Sequence, residues 1–270
     1  MDIFFHVGLG KTGSTYLQHK FFPKLQGVHY IHHTNYKKSI DIIGRGKHDR
    51  YFVSREFDRQ FLREIKKFSQ AYPHTYPIMV LRRQDSWIAS QYRRFTKNGR
   101  GIYFNEFVDL KENKGRWDIA EMNFYEKIQQ LESHFNQKPL VLLYDELRND
   151  PETFFKKIAA YTNTTYNIKD ISLAPKHISY NTKQLLLVRK VARKVLKRIS
   201  EERIDHTKTG RRMRKVLTHL IMYFHWVVPA SKFKDEALID PAELEAIRDY
   251  FDEDWQKCMN YIKSNDPKID

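Results

Sequence analysis

The sequence predicts an α/β protein, a parallel sheet flanked by helices, with a mainly helical C-terminal part. Short apolar runs alternate with helical patterns from residue 1 to about residue 165, as in chains that build parallel sheets. Two segments suited to binding phosphate follow such runs, and ligands bind at the carboxyl ends of parallel strands. Later apolar residues recur at helical spacing. We therefore expect an α/β core over residues 1–180 and a helical extension packed on it over residues 181–270.

The individual elements of the core follow from the apolar pattern in chain order. Continuous apolar or aromatic runs predict strands, and apolar residues spaced three and four apart predict helices between them. The strands are expected at residues 3–7, 29–31, 51–56, 77–81 and 139–144. The helices are expected to begin near residues 14, 61, 86, 119 and 151. Residues 33–50 are polar and basic, so we expect a loop whose cations are either solvated or in contact with an anionic acceptor: Lys37, Lys38, Arg45 and Lys47.

The stretch after the first strand carries the strongest chemical signal. Residues 8–15 read Gly-Leu-Gly-Lys-Thr-Gly-Ser-Thr, a turn between a strand and a helix that can hold a phosphate or sulfate through backbone N–H groups. A triphosphate-binding P-loop needs a glycine five residues before its Gly-Lys pair, where this chain has phenylalanine, so we expect a smaller anion. Lys11 would supply charge and Gly13 a close backbone approach. Ser14 and Thr15 would add hydroxyl donors.

A second segment follows the strand expected at residues 77–81. Arg82 stands where this strand ends, and Ser90 lies eight residues later, about two turns into the following helix. The fork-shaped guanidinium of Arg82 and the hydroxyl of Ser90 suit a shared phosphate. The alternative for Arg82 is a surface salt bridge, and the alternative for the first segment is a turn without a ligand.

Both segments resemble those of the sulfotransferases that use 3′-phosphoadenosine 5′-phosphosulfate (PAPS). Residues 6–18 are similar to the loop that holds the 5′-phosphosulfate, which reads Lys-Thr-Gly-(Ser/Thr)-Thr in bacterial members, and residues 80–92 to the segment that holds the 3′-phosphate. The resemblance implies a P-loop-like fold of the sulfotransferase type and a PAPS-binding core over residues 1–180. It also implies that Lys11 is catalytic and that PAPS contacts these residues: Lys11, Thr12, Gly13, Ser14, Thr15, Arg82 and Ser90.

Two further residues are candidates through weaker matches. Ser54 and Glu56 are similar to a Ser-x-Glu pair of bacterial sulfotransferases, which makes Glu56 a candidate general base whose pKa partial burial would raise. One alternative is a glutamate that suits a helix N-terminus, and the other is a histidine as the base, as in some relatives: His6, His29, His32 or His33. Residues 206–212 loosely match a basic, glycine-containing loop over the 3′-phosphate in animal cytosolic sulfotransferases, which makes Arg211 a candidate clamp. No metal is expected, because the chain has one cysteine and neither an aspartate cluster nor ligand-type His/Cys spacing.

The charge of the chain is strongly basic, with 48 Lys and Arg against 33 Asp and Glu and a net charge of +15. Such an excess suits nucleic acid, a membrane surface or an anionic cofactor. Basic residues are dense over residues 188–215, where we count 12 Lys or Arg against 3 Asp or Glu. This segment is either a helix with a solvated basic face or a contact with an anionic membrane. The N-terminus lacks a signal-peptide pattern, so we expect a cytoplasmic protein, either free or peripheral to the inner face of the membrane.

The resemblance implies an enzyme that moves a sulfuryl group from PAPS to a hydroxyl group, releasing 3′,5′-adenosine bisphosphate (PAP). The expected acceptor is a glycan, polysaccharide or glycolipid, the expected reaction is a metal-independent in-line displacement, and no nucleic acid partner is expected. One alternative is a P-loop kinase-like phosphotransferase, which would need a triphosphate loop and a magnesium-holding aspartate. Another is a non-catalytic basic protein that binds RNA or membranes, which would leave the two anion-binding segments to chance.

Overall fold

The computed structural model describes residues 1–173, 180–196, 208–223, 228 and 236–267. The chain folds as two compact units. The first unit comprises Met1–Arg83, Asn123–Lys176 and Phe251–Asp270, and the second comprises Gln84–Met122 and His177–Tyr250. This division differs from the boundary expected at residue 180, because each unit combines segments that are distant in sequence.

A parallel sheet forms the centre of the first unit, as the sequence predicted. Its five strands, counted over the described residues, follow the order β2-β3-β1-β4-β5, and every neighbouring pair is parallel. Continuous apolar runs were therefore the correct signal for these strands, because a parallel strand that is covered on both faces buries every side chain. The strands are β1 (Asp2–Gly8), β2 (His29–Ile31), β3 (Arg50–Ser54), β4 (Tyr76–Leu81) and β5 (Leu140–Leu143).

Helices connect the strands and build the second unit. Within the described residues, no helix combines the length and the apolar character needed to cross a membrane. The helices are α1 (Ser14–Tyr16), α2 (Ser39–Gly44), α3 (Phe61–Ala71), α4 (Gln84–Lys97), α5 (Phe104–Phe107), α6 (Phe124–His134), α7 (Tyr144–Asn149), α8 (Pro151–Thr162), α9 (Thr182–Val191), α10 (Lys208–Tyr223), α11 (Pro241–Tyr250) and α12 (Asp252–Asn265). A π-helical turn (Leu17–Phe21) and a 3₁₀ turn (Phe22–Lys24) continue α1. A second π-helical turn (Ala192–Leu196) continues α9.

The segment over residues 33–50 is more ordered than the expected loop. A 3₁₀ helix (His33–Lys38) leads directly into α2, and Ile43 of α2 is fully buried. Tyr36 stacks on Phe5 of the central strand, with 5.8 Å between the ring centroids. The expectation of a loop was wrong because Tyr36 and Ile43 pack into the first unit, and this tertiary packing outweighs the polar residues around them.

An aromatic core fixes the start of the first helix against the sheet. Phe21, in the turn that continues α1, stacks on Phe155 of α8 with ring centroids 4.2 Å apart, and Phe22 lies 4.5 Å from Phe52 of β3. All four side chains are buried. Because burying a large apolar side chain contributes about 1.5 to 3 kcal/mol, this cluster gives the loop between β1 and α1 a rigid base.

Three basic residues at the start of the basic segment are engaged within the second unit. Arg189 is buried and donates a hydrogen bond to the carbonyl of Leu238 at 2.9 Å. Lys190 and Arg193 form ion pairs with acidic side chains of the same unit, at 2.5 and 2.8 Å respectively. These contacts favour the interpretation of a packed helix for the start of the basic segment, whereas residues 197–207 lie outside the described residues.

Candidate functional site

The predicted functional residues of the first unit lie at one edge of its sheet. The loop with Lys11 follows β1, Glu56 follows β3 and Arg82 follows β4. Tyr144, which was not predicted, follows β5. All four strands run parallel, so their carboxyl ends meet at the same edge. Because β1 lies between β3 and β4 in the sheet, the loop with Lys11 has Glu56 on one side and Arg82 on the other.

Two hydroxyl groups hold the shape of the loop. The Oγ1 of Thr12 and the Oγ of Ser14 donate hydrogen bonds to the carbonyl of Leu9, at 2.6 and 2.9 Å, and both side chains are buried. A hydroxyl group has a single proton to donate, so in this conformation neither proton is directed at an anion. In this conformation both hydroxyl groups shape the turn. The predicted roles of Thr12 and Ser14 toward an anion stay predictions.

Gly13 is a position where the backbone needs glycine. Its φ angle is 83°, in the left-handed region, and a Cβ atom there would lie 2.6 Å from the Cδ2 of Leu147. Gly13 directly precedes α1, which has no side-chain cap. The first N–H groups of a helix have no carbonyl partner within the helix, so those of Ser14 and Thr15 suit an anion. This geometry fits the predicted use of the loop.

The structure brings Arg82 into contact with the loop. Its Nη1 donates to the carbonyl oxygen of Lys11 at 3.5 Å, and its guanidinium lies over the ring of Tyr144, 4.8 Å from the centroid. A cation held over an aromatic face keeps its planar N–H fork oriented. The two segments identified in the sequence therefore meet, because the guanidinium of Arg82 contacts the backbone of Lys11.

Two residues that contact these groups were not singled out from the sequence. Tyr144 begins α7, whereas the sequence placed it at the end of a strand. Asp58 accepts a hydrogen bond from the N–H of Gly10 through Oδ1 at 3.0 Å. Nothing in the local sequence pattern indicates this contact, because 48 residues separate its partners.

Glu56 lies beside the end of the central strand. The neighbouring N–H groups of Arg55 and Phe57 donate to the carbonyls of His6 and Val7 at 2.9 and 3.0 Å, so the backbone at Glu56 is anchored to β1. A Cβ atom on Gly8 would lie 3.2 Å from the Cα of Glu56. The side chain of Glu56 is exposed. The partial burial expected for a general base is therefore not found, although the position at the strand end is.

A buried polar network lies beneath the loop. His6 is fully buried in β1, its Nδ1 lies 2.9 Å from the Oγ of Ser54, and the amide nitrogen of Gln18 donates to that oxygen at 3.1 Å. Because Ser54 Oγ accepts from Gln18, its own proton is available for Nδ1 of His6. Burial lowers the pKa of His6 to about 3, so the ring is neutral. His6 thus connects β1, β3 and the helix after the loop, and we exclude it as the base.

The remaining predicted residues belong to the second unit. Ser90 lies in α4 and is half-buried, and Arg211 lies in α10, where the resemblance implied a loop. Their roles toward a 3′-phosphate stay predictions. Among the described residues, no group of three or more His, Cys, Asp or Glu side chains is arranged to hold a metal ion.

Comparison with solved structures shows the fold. A sulfotransferase from Alicyclobacillus acidocaldarius superimposes with a TM-score of 0.50 at 12% sequence identity, covering 81% of this chain and 96% of that one. The mouse sulfotransferase SULT7A1 complexed with PAP gives a TM-score of 0.45 at 15% identity, covering 83% and 89%. No protein-family model and no curated protein sequence matches the chain. The first structural similarity confirms the predicted sulfotransferase type of α/β fold.

The buried His6 generates a prediction about stability and pH. Its folded pKa of about 3 lies below the usual value of 6.5, so the stability that it contributes is complete above pH 6.5 and is lost as pH falls toward 3. Between pH 6 and pH 4, the unfolding free energy of the wild type should fall more steeply than that of His6→Gln, by up to about 1.4 kcal/mol per pH unit. Urea unfolding at each pH measures this, with His74→Gln as control, because His74 is exposed. Equal slopes for wild type and His6→Gln would contradict the burial argument.

Proposed function

We propose that this chain is a PAPS-dependent sulfotransferase that transfers a sulfuryl group to a hydroxyl group of its acceptor. The observation that carries the proposal is the contact between Arg82 and the carbonyl of Lys11 at 3.5 Å. It joins the two segments that the resemblance assigns to the two anionic ends of PAPS. The sulfotransferase fold supports the same conclusion.

The chemistry of the donor set fits PAPS. Its 5′-phosphosulfate requires a compact anion site, which Lys11 and the backbone N–H groups at the start of α1 can provide. Its 3′-phosphate requires a group that donates several hydrogen bonds in a fixed direction. The guanidinium of Arg82 is such a group, and the ring of Tyr144 orients it. The loop is too short to wrap a triphosphate, which favours PAPS over ATP.

The residues at the sheet edge can share an in-line displacement. PAPS, when bound, supplies a sulfuryl group joined to a phosphate leaving group. Glu56 takes the proton of the acceptor hydroxyl as the acceptor oxygen bonds to sulfur. Lys11 stabilises the negative charge on the phosphate oxygen from which the sulfur–oxygen bond breaks. The exposed side chain of Glu56 supports this role, because an incoming acceptor must reach its base.

We further propose that the acceptor is a carbohydrate, as part of a glycan, polysaccharide or glycolipid. Four exposed cations on the segment between β2 and β3 support an acidic sugar: Lys37, Lys38, Arg45 and Lys47. Contact with an anionic membrane through residues 188–215 has less support. Within that segment, Arg189, Lys190 and Arg193 are engaged in contacts inside the second unit.

The first test of this function is nucleotide selectivity. If Arg82 holds the 3′-phosphate, PAP should bind about 30-fold or more tightly than AMP, because a charge-assisted contact contributes about 2 to 3 kcal/mol. Calorimetry on Arg82→Ala should show that this preference is lost. Arg83→Ala is the matched control, since Arg83 instead pairs with Asp252 at 3.1 Å and should leave the preference intact. Equal binding of PAP and AMP by the wild type, or tighter binding of ATP-magnesium, would contradict the proposal.

The second test concerns the base. Glu56→Gln should leave PAP affinity unchanged but reduce turnover about 100-fold or more, because the amide cannot accept the hydroxyl proton. Transfer of label from PAPS to a panel of acidic glycans, glycolipids and phenols measures turnover. Glu152→Gln, an exposed glutamate of α8, is the control. Full turnover in Glu56→Gln together with loss of turnover in His32→Gln or His33→Gln would assign the base to a histidine instead.

A further inference from the structure

The backbone at Lys11 has an unusual conformation. Its φ angle is 68°, in the left-handed region that residues other than glycine adopt at an energetic cost. Such a conformation persists only where the surroundings hold it. Since the left-handed turn determines the direction in which the side chain leaves the loop, whatever holds the turn also aims the ammonium group.

Two side chains hold the backbone on either side of Lys11. Before it, the N–H of Gly10 donates to Oδ1 of Asp58 at 3.0 Å. After it, the carbonyl of Lys11 accepts from Arg82 at 3.5 Å. The nitrogen–oxygen distance at Asp58 is typical of a good hydrogen bond, whereas that at Arg82 is long. Asp58 therefore makes the stronger of the two contacts.

Asp58 is itself held in place by the central strand. The N–H of Phe57 donates to the carbonyl of Val7 at 3.0 Å, and the N–H of Arg55 donates to that of His6 at 2.9 Å. The ring of Phe57 is buried and meets the ring of Phe5 edge-on. The carboxylate thus projects from a segment fixed to β1, the strand that also leads into the loop.

The residue type at position 10 is explained by the same contact. Gly10 does not have a positive φ angle, so no left-handed backbone requires glycine here. A Cβ atom on Gly10 would instead lie 2.8 and 3.0 Å from the two carboxylate oxygens of Asp58. Glycine at position 10 therefore leaves space for the carboxylate of Asp58 to contact the loop.

We infer that Asp58 is a positioning residue, which holds the turn at Gly10 so that Lys11 keeps its left-handed conformation and presents its ammonium group to the donor. The inference rests on the proposed function, because it concerns the lysine of the proposed PAPS site. A carboxylate beside an anion site repels the anion, so its charge alone weakens donor binding. Its hydrogen bond to the loop is what gives it a role.

Two substitutions separate the hydrogen bond from the charge. Asp58→Asn keeps an oxygen that can accept from Gly10 and removes the negative charge, whereas Asp58→Ala removes both. Calorimetry should show PAP affinity about tenfold lower in Asp58→Ala and at least as high as that of the wild type in Asp58→Asn. Equal or tighter binding of PAP in both variants would show that only charge matters and would overturn the inference.

A double-mutant cycle tests whether Asp58 acts through Lys11. If it does, adding Asp58→Ala to Lys11→Ala should cause no further loss of PAP affinity. Gly10→Ala should reproduce Asp58→Ala by displacing the carboxylate. Gly44→Ala is the control, because Gly44 has no positive φ angle and its added Cβ atom would meet only the hydroxyl of Tyr72, at 3.5 Å, so it should not affect binding. Thermal unfolding verifies that each variant is folded. If the wild type binds PAP and the losses in the cycle are additive, the inference about Asp58 is overturned and the proposed function is not. If the wild type does not bind PAP, the proposed function is contradicted as well.

Discussion

The position of β1 between two parallel neighbours is the constraint on which the candidate site depends. Hydrogen bonds to β3 and β4 fix the register of this strand, so the three segments that follow these strands converge at one edge. Each segment brings a different chemical group to that edge: an ammonium from Lys11, a carboxylate from Glu56 and a guanidinium from Arg82. Residues that are separated by up to 71 positions in the chain are thereby brought together. The site is thus a consequence of sheet topology.

Several polar groups at the loop build its turn. The hydroxyl groups of Thr12 and Ser14 are directed at the carbonyl of Leu9, and the carboxylate of Asp58 at the N–H of Gly10. A loop whose shape is held by such side-chain hydrogen bonds is preorganised, which reduces the cost of ordering on binding.

The sequence predicted the fold because its signals are local. Continuous apolar runs located all five strands, and glycine at position 13 located a turn that admits no side chain. Three features could not be predicted from local sequence patterns: the helices within residues 33–50, the contact of Asp58 with the loop and the division into two units. Each depends on partners that are distant in the chain, such as Phe5 under Tyr36, and local periodicity does not encode them. The basic charge of α9 and its continuation likewise could not separate a packed helix from a membrane contact, and their ion pairs within the second unit favour the packed helix.

The central claim is that the loop at Lys11 and the guanidinium of Arg82 together hold one PAPS molecule by its two anionic ends. The most direct measurement is a crystal structure of the protein with PAP. The account predicts density for the 5′-phosphate against the N–H groups at the start of α1, and for the 3′-phosphate within hydrogen-bond distance of Arg82. A nucleotide bound away from the loop, or one whose 3′-phosphate faces solvent, would contradict the account.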